Sequence, residues 1–367
     1  MNKPYRVAII GCGRPLRTPG ASGFGQAHIH VQGYQASGRC QLAAVADISR
    51  ENAEAFVAEH GDSAQPPAIY LDYQEMLAKE RPDVVSICTW PHLHAPMVIA
   101  CAEAGVRAVH CEKPMAPTWG EARQMAAVCA QHGTQLTFNH QRRFEATYRA
   151  ARRLLHEGAI GDLVRMEAHC GDLFDWGTHW FDMLFFYHDE TPVRWLLAQI
   201  DVREERKVFG MPVETQAISF FQYVSGVHGL LVTGRDSAIG CANRLIGSAG
   251  VIEVNPTLPE GQRLPVRIRG RGDGAWVPVD TNPDRLDRPG NSVAHGIADL
   301  LDALEDGHEP LLSARHALQA TELIFASYES SRCRGRIDLP LTIDDSPFLT
   351  MLAHGDLAGH PPTATPA

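Results

Sequence analysis

Between residues 7 and 138 short apolar runs alternate with longer helix-like stretches, and few architectures satisfy that order. Runs at 7–10, 42–46, 84–89, 106–111 and 135–138 read as strands, while 26–36, 50–60, 96–105 and 119–132 read as helices. Strands separated by whole helices cannot pair as hairpins. Each crosses over and lies parallel to its predecessor, in a sheet covered on both faces. After residue 140 the texture changes: one helix at 147–158, then strand candidates at 163–169, 194–203, 217–223, 229–233, 245–254 and 265–269. These predict a second α+β unit with a mainly antiparallel sheet. Two late helices, 293–305 and 314–332, either close that unit or pack back on the first. The expected division is 1–140, 141–340 and a C-terminal extension over 341–367, whose last residues, 360–367, read as a loose tail.

The first strand runs into Gly11-Cys12-Gly13, the start of a G-x-G-x-x-G turn, but the third glycine is late. Eleven residues, Arg14 to Phe24, separate Gly13 from Gly25, nine more than the motif has. Asp47 shows that the turn is real. It ends the second strand candidate 22 residues after Gly25, where a carboxylate accepts hydrogen bonds from an adenosine ribose. The first domain is therefore expected to be a Rossmann dinucleotide-binding domain, with Gly11, Gly13, Gly25 and Asp47 holding the cofactor. A carboxylate at Asp47 repels a 2′-phosphate, so NAD is expected over NADP, although Arg50 can soften that preference. The insertion is basic and proline-braced. It reads either as a surface excursion or as a flap on which Arg14 or Arg17 meets a phosphate or an anionic substrate.

Composition removes other classes. With 44% hydrophobic and 21% charged residues and no apolar run near the ~18 needed to cross a bilayer, neither disorder nor a membrane span is expected. A formal charge of −10 argues against nucleic acid as a partner. Nothing at the N-terminus reads as an export signal, and nine cysteines without C-x-x-C spacing read as buried free thiols, so a cytoplasmic location is expected. His28-x-His30 and His92-x-His94 lack an accompanying carboxylate or cysteine cluster in sequence, and no metal site is expected.

Glu112-Lys113-Pro114 is similar to the E-K-P element of Gfo/Idh/MocA-family oxidoreductases, the family of glucose-fructose oxidoreductases and inositol dehydrogenases. Thr89-Trp90-Pro91-His92-Leu93-His94 resembles the family's T-P-x-x-x-H segment, and Arg143-Phe144 its R-F element. Gly171-x-x-x-Asp175-x-Gly177-x-His179-x-x-Asp182 resembles its second-domain signature, and the similarity runs over about residues 5–340. It implies cofactor contacts from Thr89, Pro91, His94, Glu112 and Lys113, a commonly cis Lys113–Pro114 peptide, an open-faced second-domain sheet, and homodimers or homotetramers formed through that open, mainly antiparallel sheet. The departures are the extended glycine loop and the chain beyond Pro340.

Oxidising an alcohol by hydride transfer leaves a proton on the oxygen, so a base must take it. His179 is the candidate base, with an ordinary pKa suited to neutral pH, and the family's catalytic histidine falls on this position. Asp175, four residues earlier, shares a helix face with it and either orients the ring, binds a substrate hydroxyl or caps the helix. Lys113 is placed to stabilise the developing alkoxide. Trp176 is a stacking surface for a sugar ring, and Trp180 fits the core better. His140, Arg142 and Arg143 follow the last strand of the first domain and face either the substrate or solvent.

The expected function is an NAD-dependent dehydrogenase of a small-molecule carbohydrate: a sugar, a polyol or their acid derivative. The first alternative is an oxidoreductive glycosidase, which oxidises transiently, eliminates the aglycone and returns the hydride. A non-catalytic NAD- or sugar-binding regulator is the alternative of another class.

Overall fold

The computed structural model describes residues 3–15, 18–19, 24–235, 238–272 and 274–357. Arg17 and the tail at 360–367 lie outside them. In chain order the elements are β1 (Tyr5–Ile10), α1 (Gln26–Ser37), β2 (Cys40–Ala46), α2 (Arg50–His60), β3 (Ala68–Tyr70), α3 (Tyr73–Glu80), β4 (Val84–Ile87), α4 (Pro91–Glu103), β5 (Ala108–Cys111), α5 (Trp119–His132) and β6 (Gln135–Phe138). A 3₁₀ turn (Gln141–Phe144) precedes α6 (Ala146–His156), β7 (Leu163–Cys170), α7 (Trp176–Tyr187) and β8 (Val193–Asp201). Then come β9 (Arg206–Val208), β10 (Met211–Val213), β11 (Gln216–Tyr223), β12 (His228–Thr233), β13 (Cys241–Gly247), β14 (Gly250–Pro256), β15 (Val266–Gly270) and β16 (Val277–Pro278). The chain closes with α8 (Ser292–Asp306), α9 (Ala314–Cys333), β17 (Ile337–Asp338) and α10 (Pro347–His354).

These elements form two compact units, one of residues 1–117, 121–145 and 286–318, the other of 118–120, 146–285 and 319–367. In the first, six strands run parallel in the order β3-β2-β1-β4-β5-β6. That is the doubly wound order, and its direction reverses between β1 and β4. The segment 286–318 is integral to this unit. Val293, Ile297, Leu300 and Leu301 of α8 share one core with Val7, Ile9, Val31, Tyr34 and Phe56. The approach of α8 to α1 is so close that a Cβ on Gly33 would stand 2.7 Å from Ile297 Cδ1. Arg39 then ties the pair off, bonding Asp302 at 2.8 Å and the Ala298 carbonyl at 3.2 Å.

The second unit carries a nine-stranded sheet, β16-β15-β14-β13-β7-β12-β11-β8-β17, antiparallel except for the parallel β7/β12 pair. Burial alternates along β11, β12 and β13, so one face is covered and the other is open. α7 packs against β7 and β12 and is buried from Gly177 to Tyr187, as befits a helix apolar nearly all round. Two sequence expectations change. The strand expected over 245–254 is a hairpin, β13 and β14, because Gly247 and Gly250 bracket a tight turn against backbone that a Cβ would strike, Ile160 O at 2.1 Å and Arg269 O at 2.6 Å. α4 starts at Pro91, not at 96, since proline suits a first helical turn and Pro96 costs only one backbone donor. Six of the nine cysteines are buried as expected, but Cys333 is exposed; all nine are free thiols. No helix among the described residues is long and apolar enough to cross a membrane.

Candidate active site

At the β1/β4 reversal the carboxyl ends of the strands open into a cleft of about 520 Å³, lined by Gly11, Gly13, Asp47, Asn52, Thr89 and Trp90 among others. Gly11 sits at φ +85°, and a Cβ there would press on Thr89 Cγ2 at 2.7 Å and Cys88 O at 3.0 Å, so only a bare backbone makes this turn. Gly25, at φ +63°, starts α1 as its N-cap. The late third glycine therefore still performs the turn into the helix. Asp47 leaves β2 with Oδ2 accepting from the Gly13 N–H at 3.1 Å and Oδ1 from the Ser49 N–H at 2.8 Å. A carboxylate has about four acceptor positions, so these two bonds fix it and leave capacity for ribose hydroxyls. Ile48, exposed at 95%, and the half-exposed Leu71, Trp90 and Leu93 border the same opening. Bare glycine backbone, an anchored carboxylate and an apolar rim fit a dinucleotide.

Several expected cofactor contacts are placed otherwise. Arg14 is committed to α2 and its own loop: Nε donates to Asn52 Oδ1 at 2.9 Å, Nη1 to Pro19 O at 2.8 Å, and Nη2 pairs with Glu51 at 3.0 Å. Arg14 thus ties Pro19 to the first turn of α2, with a carboxylate as its partner. Arg50 pairs with Glu54 at 3.9 Å on the surface. His94 is fully buried, with Nδ1 3.0 Å from Pro114 O and 3.1 Å from Met115 O, and Nε2 3.1 Å from Thr89 O. Burial lowers its pKa. It braces the β4–α4 loop against the turn after β5 and presents nothing to the cleft. Pro91 is likewise buried at the start of α4, while Thr89 lines the cleft as expected.

Glu112 is not a surface contact either. Its Oε1 accepts from His30 Nε2 at 2.9 Å and from Asn139 Nδ2 at 2.7 Å, and the His30 ring reaches Ser86 Oγ at 3.0 Å, which also meets the Tyr34 hydroxyl at 2.9 Å. Burial alone would raise the Glu112 carboxyl, but the His30 hydrogen bond and charge, with Asn139 and Lys113, hold it at about 2. This buried chain fixes the backbone that leads into Lys113, and the Lys113–Pro114 peptide is cis. Arg143 is wholly buried and His140 nearly so, which removes both from an open, solvated surface; Arg142 is half-buried.

In the second unit Asp175 is the N-cap residue of α7 and His179 lies one turn on, 5% and 4% exposed, with Trp176 between them 46% exposed. Asp175 has helical backbone angles, so the four-residue spacing does place both side chains on one helix face. Its carboxylate does not cap the helix. That task falls to Asp172, a residue the sequence reading passed over, whose Oδ1 accepts from the N–H groups of Asp175 at 2.6 Å and Trp176 at 3.4 Å. Behind it lies a second missed carboxylate. Glu214, fully buried, accepts from Leu173 N–H at 2.6 Å and from Thr233 Oγ1 at 3.1 Å on one oxygen, and meets the Tyr328 hydroxyl at 3.0 Å on the other. Burial, reinforced by the nearby Asp172, pushes Glu214 up to about 7, and burial raises Asp172 as well. The only sequence signal was an acidic residue in an apolar strand region. Trp180 is buried, as its core reading required.

Residues 5–140 match the profile of the Gfo/Idh/MocA oxidoreductase family, described as having an NAD-binding Rossmann fold. The chain is similar to D-apiose dehydrogenase of Paraburkholderia graminis, 25% identical with 96% of this chain and 94% of that protein covered. It is also similar to inositol 2-dehydrogenase of Rhizobium meliloti, 28% identical with 89% and 96% covered. Among solved structures, levoglucosan dehydrogenase in complex with NADH superposes with a TM-score of 0.75 at 19% identity, over 92% of this chain and all of that one, and so shares the fold. The doubly wound sheet thus falls within the matched segment: residues 5–140 are an NAD-binding Rossmann domain of the Gfo/Idh/MocA oxidoreductase type.

Proposed function

We propose that this oxidoreductase moves a hydride between NAD and a hydroxyl-bearing carbon of a sugar, a polyol or a sugar acid. The single observation that carries the reading is the helix turn at the start of α7, where Asp175 and His179 share a face while Asp172 takes over the capping. Gly11, Gly13, Gly25, Asp47 and Thr89 hold the dinucleotide, which when bound supplies the hydride acceptor. His179 takes the proton from the substrate hydroxyl and Asp175 orients that imidazole, while Lys113 of the first unit has the chemistry to stabilise a negative charge developing on oxygen. Trp176 offers an exposed ring on which a pyranose face stacks. The relatives named above act on an aldose and on inositol, which supports the substrate class.

The open face of the second-unit sheet exposes Leu197 at 47% and Ile218 at 51% on neighbouring strands β8 and β11, which supports a homodimer or homotetramer assembled through it. Nine free thiols support a reducing, cytoplasmic setting.

Turnover of a panel of sugars, inositols and glycosides, followed by NADH absorbance, tests the reading. A net dehydrogenase accumulates one NADH per substrate oxidised. Aglycone release with only trace NAD, with solvent deuterium beside the oxidised carbon and no lasting NADH, would replace it by the oxidoreductive glycosidase. Stoichiometric NAD binding with no turnover of any member would leave a regulator. Asp47→Ala is expected to narrow the preference for NAD over NADP in fluorescence titrations; tighter NADP binding by the unmodified chain contradicts the ribose assignment.

A further inference from the structure

α1 and α2 lie side by side on the first unit, and where the first turn of α1 meets the last turn of α2 three donor side chains converge. His28 Nδ1 is 2.8 Å from His60 Nε2, Glu59 Oε2 is 3.4 Å from His28 Nδ1, and Glu59 Oε1 is 3.6 Å from His60 Nε2. Among the described residues this is the one group of three histidine, cysteine or carboxylate side chains whose donor atoms all lie within 4.8 Å of one another. We propose that His28, Glu59 and His60 form a site for a tetrahedral divalent metal ion, zinc by its chemistry, outside the redox centre.

Three measures favour that occupant. Metal–donor bonds of 2.0–2.2 Å place the donors of a tetrahedral zinc site about 3.3–3.5 Å apart; Glu59 Oε2 already stands 3.4 Å from His28 Nδ1, its other oxygen stands 3.6 Å from His60 Nε2, and the two imidazoles, 2.8 Å apart, have to part by only about half an ångström. As the side chains stand, the carboxylate approaches both rings without closing a short hydrogen bond to either, whereas one ion at the centre of the triangle satisfies all three. The two rings are also held in advance. Phe56, fully buried, packs against His28 at 4.9 Å and His60 at 4.8 Å between centroids, and Gln35 Nε2 clasps the His60 carbonyl at 3.0 Å, so the rotamers need little ordering on binding.

The fourth position faces out beside Glu59, which is 53% exposed in its side chain, and water completes the set there. Sequence spacing hid this arrangement, because His28 and His30 are split: His30 turns to Ser86 and Glu112.

The full-length chain, stripped with a chelator and dialysed, is titrated with Zn²⁺ by calorimetry and with Co²⁺ by visible absorption. One Zn²⁺ per chain, with Co²⁺ giving the intense visible bands of tetrahedral coordination, is the expected result. His60→Asn should abolish this site and Glu59→Gln should weaken it by about tenfold or more, while His92→Asn leaves it unchanged. Glu59 is exposed and contacts the two rings alone in this cluster, so Glu59→Gln tests the site without disturbing the core, and circular dichroism checks the fold of each variant. Absence of a saturable Zn²⁺ site, octahedral Co²⁺ spectra, or equal affinity in the unmodified, Glu59→Gln and His60→Asn chains would overturn the proposal. None of these readouts depends on catalytic turnover, so this test and that of the proposed function fail separately.

Discussion

Replacing His179 by alanine is expected to lower turnover by about two orders of magnitude or more while leaving NAD affinity nearly unchanged. A positioned general base contributes roughly 10²–10⁴-fold, and alanine leaves only water to take the hydroxyl proton. The cofactor side is insulated from the change: every residue lining the β1/β4 cleft belongs to the first unit, and His179 belongs to the second. Lys113→Ala should show a loss of similar size for a different reason, the removal of a charge beside the forming alkoxide. The two variants differ in pH profile. Loss of the base abolishes the acidic limb of kcat, whereas loss of Lys113 lowers the whole curve. Steady-state kinetics from pH 5 to 9 with a fluorescence titration of NAD decides the matter, and full turnover in either variant removes that residue from the mechanism.

The second large effect concerns Glu214. Truncation to alanine orphans the Leu173 N–H and the hydroxyls of Thr233 and Tyr328 in a dry interior; at about 1–3 kcal/mol for each unsatisfied group, a loss of at least ~3 kcal/mol follows. Glutamine is a milder change, because it has the shape of the protonated acid, and the Tyr328 hydroxyl can turn to accept from its amide. The pH dependence gives the sharper test. The native carboxyl keeps its proton up to about 7, while the unfolded chain releases it near 4.5. Between those values the native state binds more protons, so stability falls as pH rises through this window and levels off above it. The decrease is on the order of 3 kcal/mol for so buried a group. Urea melts at pH 5 and pH 7.5 should show that decrease in the unmodified chain and a much smaller one in Glu214→Gln. Equal decreases in both would assign the effect elsewhere, Asp172 first.

What the sequence made legible follows from how far apart the interacting residues lie. Apolar runs and the helices between them are local, and the parallel order of the first sheet followed from them. Gly25 was recognisable as the third glycine because its spacing to Asp47 survived the insertion. The helix start at Pro91 and the hairpin at Gly247 to Gly250 had local signals, proline at a first turn and glycines flanking Ser248-Ala249, which the apolar runs outweighed. Other features were out of reach. Glu214 is 41 residues from the loop it supports, and only the course of the second sheet brings it there. Arg14 looked like a phosphate ligand because Glu51 and Asn52, its actual partners, join it through a fold and not through a motif. His94 and Glu112 sit in segments that resemble the family's own, yet that resemblance carries no information on which of their faces is turned inward.

The docking of α8 on α1 has a consequence for biosynthesis. A ribosome that has released the first 145 residues has made all six strands of the Rossmann sheet, but not Val293, Ile297, Leu300 and Leu301, which complete its core. Until residues near 318 emerge, that apolar surface has no native cover, and the nascent chain must keep it from foreign contacts while the intervening strands are translated. A fragment cut at residue 140 would inherit the same exposed seam, and supplying residues 286–318 as a separate peptide should bind it and raise its melting temperature.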